Sequence, residues 1–135
     1  RRLNRSAAET LIGLGAAVHA VTDVTGYGLA GHAWEMAERT GTATIIETST
    51  LVTYPGAQRI ADAGHRTGGD QRNRDYLDGH LDTTAEPGAE ALCFDPQTSG
   101  GLLAAVDPAA ADDLVGAGWL RAGEVATGEP ALLLR

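Results

Sequence analysis

The chain has 135 residues, with 43% hydrophobic and 21% charged residues, ordinary values for a soluble globular protein long enough to bury one core. Its formal net charge of −8 argues against a nucleic-acid partner, because the basic clusters at Arg1–Arg5 and Arg66–Arg74 are too short to displace counterions from phosphates. No apolar run approaches the roughly 18–20 residues that cross a bilayer, and no charged start followed by an apolar stretch marks an export signal. The single cysteine, Cys93, excludes an internal disulfide and fits a reducing compartment, so the composition predicts a cytoplasmic protein without membrane contact.

The chain opens with a helical pattern over residues 5–17. Ser6 and Glu9 have the spacing of a capping box, and Ala7, Leu11 and Leu14 share one face. Residues 18–24 alternate as a strand, with Val18, Ala20, Thr22 and Val24 on one side and His19, Val21 and Asp23 on the other. A glycine-rich turn follows, then a helix whose Leu29, Ala33, Met36 and Ala37 recur at core-facing spacing and which Gly41 stops. Residues 42–48 are β-branched and apolar enough for a second strand, and residues 56–63 fit a short helix ending at Gly64.

Residues 65–88 are polar, with no hydrophobic period, and read as a long loop. Such a loop is either a solvated excursion or a site lined by Arg72, Asn73 and Arg74 beside Gly68 and Gly69. Residues 89–94 read as a third strand, residues 95–101 as a second glycine-bearing turn, and residues 102–106 as a fourth strand. Pro108 stands at the first position of a helix carrying Ala111, Leu114 and Val115. Strands over 119–126 and 131–134 close the chain around a turn at Gly128, Glu129 and Pro130. The alternation of helices and strands predicts an α+β, layered α/β architecture, with a mixed sheet covered by helices.

The first turn holds the clearest chemistry. Asp23 stands beside the hydroxyls of Thr22 and Thr25 and the glycines Gly26 and Gly28, immediately before a helix. Backbone N–H groups approach an anion closely where no Cβ intervenes, and a helix N-terminus adds partial positive charge. A carboxylate at such a corner can hold a divalent cation that the anion also touches. It can equally be a turn carboxylate bonding nearby N–H groups. His32 reads as a packed or partly exposed histidine rather than a ligand, with no second His or Cys at zinc spacing, and Trp34 and Trp119 read as core or interface aromatics. Cys93, in apolar surroundings with no adjacent base, reads as a buried inert thiol.

Three segments together, TDVTGYGLAGH at 22–32, GGDQRNRDY at 68–76 and FDPQTSGGLLAAV at 94–106, closely resemble the C-terminal half of the selenide, water dikinase (selenophosphate synthetase) family. That family shares its architecture with aminoimidazole ribonucleotide synthetase and related ATP-using enzymes. The resemblance implies one domain over 1–135, the C-terminal half of a longer enzyme whose N-terminal catalytic half is absent; residue 1, Arg rather than Met, agrees with a piece of a longer chain. It implies transfer of the γ-phosphoryl of ATP to selenide, with AMP and phosphate as the other products and Mg²⁺ as cofactor. Asp23 then matches the metal-binding aspartate of this half. Thr25, Gly26, Gly28 and Asn73, with Gln97, Thr98, Ser99 and Gly100 of the second turn, face the nucleotide.

The reactive cysteine or selenocysteine and the catalytic lysine of the family lie in the preceding half, and no lysine stands in any motif here, so this chain alone has no catalytic residue. Asp70 occupies a position where the family more often has Thr. The resemblance further implies a homodimer formed mainly through the missing half. The alternative to an enzyme domain is a stand-alone, non-catalytic module of the same fold that binds a phosphorylated ligand or a partner protein.

Overall fold

The computed structural model describes residues 3–135; Arg1 and Arg2 of the first basic cluster lie outside them. The helix over Gly28–Thr40, α2, carries the longest buried surface. Ala30, Ala33 and Ala37 are fully buried, and Trp34 and Met36 nearly so. The expected stripe at 29, 33, 36 and 37 faces the core, and the burial extends past it to His32 and Trp34 because α2 is covered on more than one side. Gly41, at φ +68°, ends it in the left-handed conformation that glycine adopts without steric cost.

Before α2 lie α1 (Arg5–Leu14), a single 3-10 turn over 15–17, and the strand β1 (Val18–Asp23). The capping box does not form. The helix begins one residue before Ser6, with Asn4 at the cap position and no side-chain cap bond, so the Ser6 hydroxyl lies inside the first turn. Instead the Ser6 carbonyl accepts from the Thr10 hydroxyl at 3.0 Å. In β1 the inward and outward residues alternate as the sequence pattern indicates, leaving His19, Val21 and Asp23 exposed.

After α2 come β2 (Ala43–Ile46), a 3-10 turn over 48–50, and α3 (Ala57–Asp62). The supposed loop over 65–88 is instead ordered secondary structure: a helix α4 (Asp70–Tyr76), a strand β3 (Leu81–Thr83) and the start of α5 (Pro87–Phe94). Its inward positions are Asp70, Asn73 and Leu77, all buried. The i, i+3, i+7 spacing is helical, but two of the three residues are polar, so no hydrophobic period shows.

Residues 89–94 are likewise helical rather than a third strand. A short apolar run fits a buried helix as well as a buried strand, and Pro87 at the first helical turn decides for the helix. The chain continues through β4 (Leu102–Val106), α6 (Pro108–Gly116, with Pro at its start as expected), β5 (Gly123–Ala126) and β6 (Ala131–Leu134). β5 is shorter than the expected strand over 119–126.

The strands form two sheets. β1 pairs antiparallel with β4, from Val18 opposite Val106 to Asp23 opposite Leu102. The other four have the order β3-β6-β2-β5. β5 and β6 therefore do not pair with each other as a hairpin would; they flank β2, antiparallel and parallel respectively. Leu132, Leu134 and Ile46 from this sheet meet Trp34 and Ala37 of α2, with Phe94, Cys93 and Leu77 filling the remaining core. Trp34 stacks on His80, with ring centroids 4.1 Å apart and planes 14° from parallel. Burial of a side chain such as Phe94 contributes about 1.5–3 kcal/mol.

Two consequences are measurable. At Gly28 the backbone has φ +70°, and a Cβ there would lie 2.6 Å from the Cys93 carbonyl oxygen and 2.9 Å from the Phe94 carbonyl carbon. Gly28→Ala therefore forces α2 away from the end of α5 and costs more than about 2 kcal/mol in urea unfolding. The second consequence concerns Cys93. Burial, and to a smaller extent Glu90, pushes its thiol from 9.0 up to about 12. The unfolded chain releases this proton at lower pH than the folded one, so above the unfolded value the folded state binds more protons and loses stability as pH rises. Urea midpoints should fall between about pH 9 and 12, and the Cys93→Val variant should lose that part of the slope.

Candidate functional site: two interlocked glycine turns

The segment between β1 and α2 (24–27) and the segment between α5 and β4 (95–101) lie against each other. The Val24 amide donates to the Gly101 carbonyl at 2.9 Å, and the Gln97 amide donates to the Thr25 carbonyl at 2.9 Å. Gly100 sits so close to Val24 that a Cβ would overlap the Val24 carbonyl oxygen. Asn4 closes the far side, its Nδ2 donating to the Gly100 carbonyl at 3.2 Å.

Asn73, from α4, ties the first turn to the end of α5, immediately before the second turn. It is fully buried, and its Nδ2 donates to the Gly26 carbonyl at 3.0 Å and to the Phe94 carbonyl at 2.9 Å. Its Oδ1 is buried with no hydrogen-bond partner among the described residues. The polar face of α4 is fixed by charge as well: Arg74 Nε lies 2.9 Å from Asp70 Oδ2, its Nη1 reaches Glu90, and its guanidinium lies 4.3 Å from the centre of the Phe94 ring. Of the three residues read as lining a loop site, Asn73 and Arg74 are thus engaged inside the fold, and Arg72 is exposed.

The residues singled out in the sequence occupy this junction unequally. Asp23, at the end of β1, is exposed, and its carboxylate makes no hydrogen bond among the described residues. Thr25 and Gly26 are also exposed, while Gly28 is buried, with its N–H donating to the Thr25 carbonyl at 3.0 Å. Gly26 has neither a positive φ nor any atom within 4 Å of where a Cβ would stand, so the fold itself does not require glycine there. Gln97 is half-buried and also binds within its own turn, its Nε2 donating to the Asp95 carbonyl at 3.2 Å. Thr98 and Ser99 are exposed on the same turn.

His32, read from the sequence as a packed or partly exposed histidine, is buried. It is also tied to the first turn: its Nε2 lies 3.0 Å from Thr25 Oγ1. The two residues are seven apart, but Thr25 lies in the turn before α2, so the helical period of α2 does not link them.

The exposed carboxylate of Asp23 and the hydroxyl of Thr25 are hard oxygen donors, a set suited to Mg²⁺ rather than to zinc or copper. Among the described residues no group of three or more His, Cys, Asp or Glu side chains could enclose a metal. The exposed residues of this junction, its rim, can therefore supply part of a cation site.

Comparison with known proteins bears on the chain as a whole. A family model described as "AIR synthase related protein, C-terminal domain" matches residues 2–126. The chain is 41% identical over 113 residues to a selenide, water dikinase of Caldanaerobacter subterraneus subsp. tengcongensis, covering 83% of this chain and 32% of that protein. It is 44% identical over 117 residues to the selenide, water dikinase of Pelobacter propionicus, covering 85% and 33%. With that of Nitratidesulfovibrio vulgaris it shares 37% identity over 132 residues, covering 96% and 35%. The chain thus spans about a third of the length of these relatives. The crystal structure of tt0281 from Thermus thermophilus superposes with a TM-score of 0.50 at 24% identity, over 93% of this chain and 34% of that one, a likeness of fold. The α+β fold and the match over nearly the whole chain place this protein in the family of AIR synthase related C-terminal domains.

Proposed function

We propose that this chain is the C-terminal domain of a selenide, water dikinase, which makes selenophosphate from selenide and ATP and releases AMP and phosphate. The observation that carries the reading is the interlocking of the two turns. The segments DVTGYG and DPQTSGG, 72 residues apart in sequence, are bonded to each other and present Asp23, Thr25 and Gly26 on one exposed rim. The relatives bearing that name cover most of this chain at 37–44% identity.

On this reading Asp23 contributes one ligand to Mg²⁺, and the remaining ligands, the nucleophile and the lysine belong to the part of the enzyme outside this chain. The chemistry such an ion would supply is neutralisation of phosphate charge in phosphoryl transfer, which depends on positioning and charge more than on covalent chemistry by the protein. The chain's own part is to hold a carboxylate at the end of a strand whose partner strand and following turn are fixed. Gly26 leaves the rim open for close approach of the nucleotide phosphates, and Gln97 and Gly100 keep the second turn against the first. Thr98 and Ser99 extend the same rim as hydroxyl donors to the nucleotide. Alone, the domain is inactive. The full-length enzyme would be a cytoplasmic homodimer.

In the full-length enzyme, Asp23→Asn should lower selenide-dependent AMP formation by at least about 100-fold. In this chain the same change should leave stability within about 0.5 kcal/mol, because the carboxylate is exposed and makes no hydrogen bond among the described residues. Turnover that survives the substitution would remove Asp23 from the mechanism. Gly26→Ala should likewise leave urea unfolding unchanged while lowering turnover about tenfold, the reverse of the order expected from a packing glycine.

A further inference from the structure

The hydrogen bond between Thr25 Oγ1 and His32 Nε2, 3.0 Å long, can run in either direction, and the tautomer of His32 decides which. The other ring nitrogen settles the tautomer. Nδ1 is buried and has no hydrogen-bond partner among the described residues. It faces Glu35 Oε2 at 3.6 Å, one helical turn along α2. The other oxygen of Glu35 holds Arg39 Nη2 at 2.8 Å, which anchors the carboxylate where it stands. A carboxylate only accepts. An unprotonated Nδ1 would set a lone pair against that negative charge in a desolvated place, whereas an N–H on Nδ1 is attracted to it even beyond hydrogen-bond length. The Tyr27 ring and the imidazole meet edge to face, with centroids 5.7 Å apart and planes at 71°, a contact that helps to fix the imidazole in this orientation.

A neutral imidazole carries one proton. With that proton on Nδ1, Nε2 is the acceptor and Thr25 is the donor. The only proton of the Thr25 hydroxyl is then directed inward, which leaves the oxygen, with its two lone pairs, solely an acceptor toward the exposed rim that also carries Asp23. We infer that His32 is a positioning residue that makes Thr25 an outward acceptor, so that its oxygen serves a hard cation or a water bound to one, beside Asp23. Thr25 then does not donate to a phosphate oxygen, which needs a hydroxyl proton turned outward, and its place is on the cation side of the site rather than on the nucleotide side. The identity of the cation rests on the proposed function; the direction of the hydrogen bond does not.

The test joins a spectroscopic readout to a binding readout on the full 135-residue chain. Long-range proton–nitrogen NMR on ¹⁵N-histidine-labelled protein distinguishes the protonated from the unprotonated ring nitrogen of His32. The expected result is a proton on Nδ1 and none on Nε2. Glu35→Gln keeps the shape of the side chain but offers Nδ1 an amide donor, so the proton should move to Nε2 and turn the Thr25 hydroxyl outward. Titration with Mn²⁺, followed by paramagnetic broadening of the Asp23 and Thr25 amide signals, should then show affinity about tenfold weaker than in the unsubstituted chain. A proton on Nε2 of the unsubstituted protein, alone or together with one on Nδ1, overturns the inference. So does a Glu35→Gln variant that binds Mn²⁺ as well as the parent. Asp23→Asn serves as the separate control: if it leaves Mn²⁺ broadening unchanged, the cation reading of the rim fails, while the direction of the Thr25–His32 bond stands or falls on the nitrogen spectrum.

Discussion

The carboxamide of Asn73 is the contact on which the geometry of this domain depends. One buried NH₂ group bonds two carbonyls 68 residues apart in the chain, that of Gly26 in the first turn and that of Phe94 at the end of α5. Breaking it would leave the buried Phe94 carbonyl short of a donor, a cost of about 1–3 kcal/mol, whereas the carbonyl of the exposed Gly26 could turn to water. An apolar residue of similar size could fill the space but could not hold the first turn and α5 in register. The bond therefore does two things at once: it secures the junction of α4, α5 and the first turn, and it fixes the direction of the backbone that presents Asp23 and Thr25. The Arg74 pairs with Asp70 and Glu90 serve the same helix from its outer side, where partial exposure leaves each pair worth less.

Glycine plays opposite parts within one turn. Gly28 is needed by the fold, because its conformation and the nearness of α5 exclude any side chain. Gly26, two residues earlier, is not needed by it. A sequence reading that treats both as a phosphate-cradling pair misses this division, since the two residues look alike in one dimension. The distinction separates positions where a substitution reports on folding from positions where it reports on what approaches from outside.

Much of the fold is legible in the sequence where apolar residues alone face inward. The period of two in β1, the stripe on α2, the glycine stop at Gly41 and the proline start of α6 all correspond to observed elements. The stretch from 65 to 94 is opaque for a physical reason. α4 turns Asp70 and Asn73 toward the core, where each is accommodated by specific hydrogen bonds or charge pairs, and hydrophobic patterning cannot register a polar residue whose burial is offset in that way. In α5 the helical signal is Pro87, which lies ahead of the apolar run and outside the segment whose composition suggests a strand. The capping box at Ser6 and Glu9 fails because the cap falls two residues earlier, at Asn4, which the spacing alone does not exclude. Of the candidate site, the two motifs are visible through their resemblance to a family. Their mutual bonding, and the tie between Thr25 and His32, require three dimensions.

The larger sheet has a further property that follows from its borders. Its edges are β3, three residues long with Asp82 held by Arg135 at 2.9 Å, and β5, four residues long with the charged Glu124 on it. An edge that short offers few consecutive unpaired backbone groups, and a charge on it must be desolvated before another strand can join. The apolar strands β2 and β6 are enclosed between these borders. Growth of the sheet by addition of a second copy is thereby disfavoured at both margins, so a solution of this domain should resist assembly into ribbons even though its interior strands, taken as peptides, have the composition that promotes it.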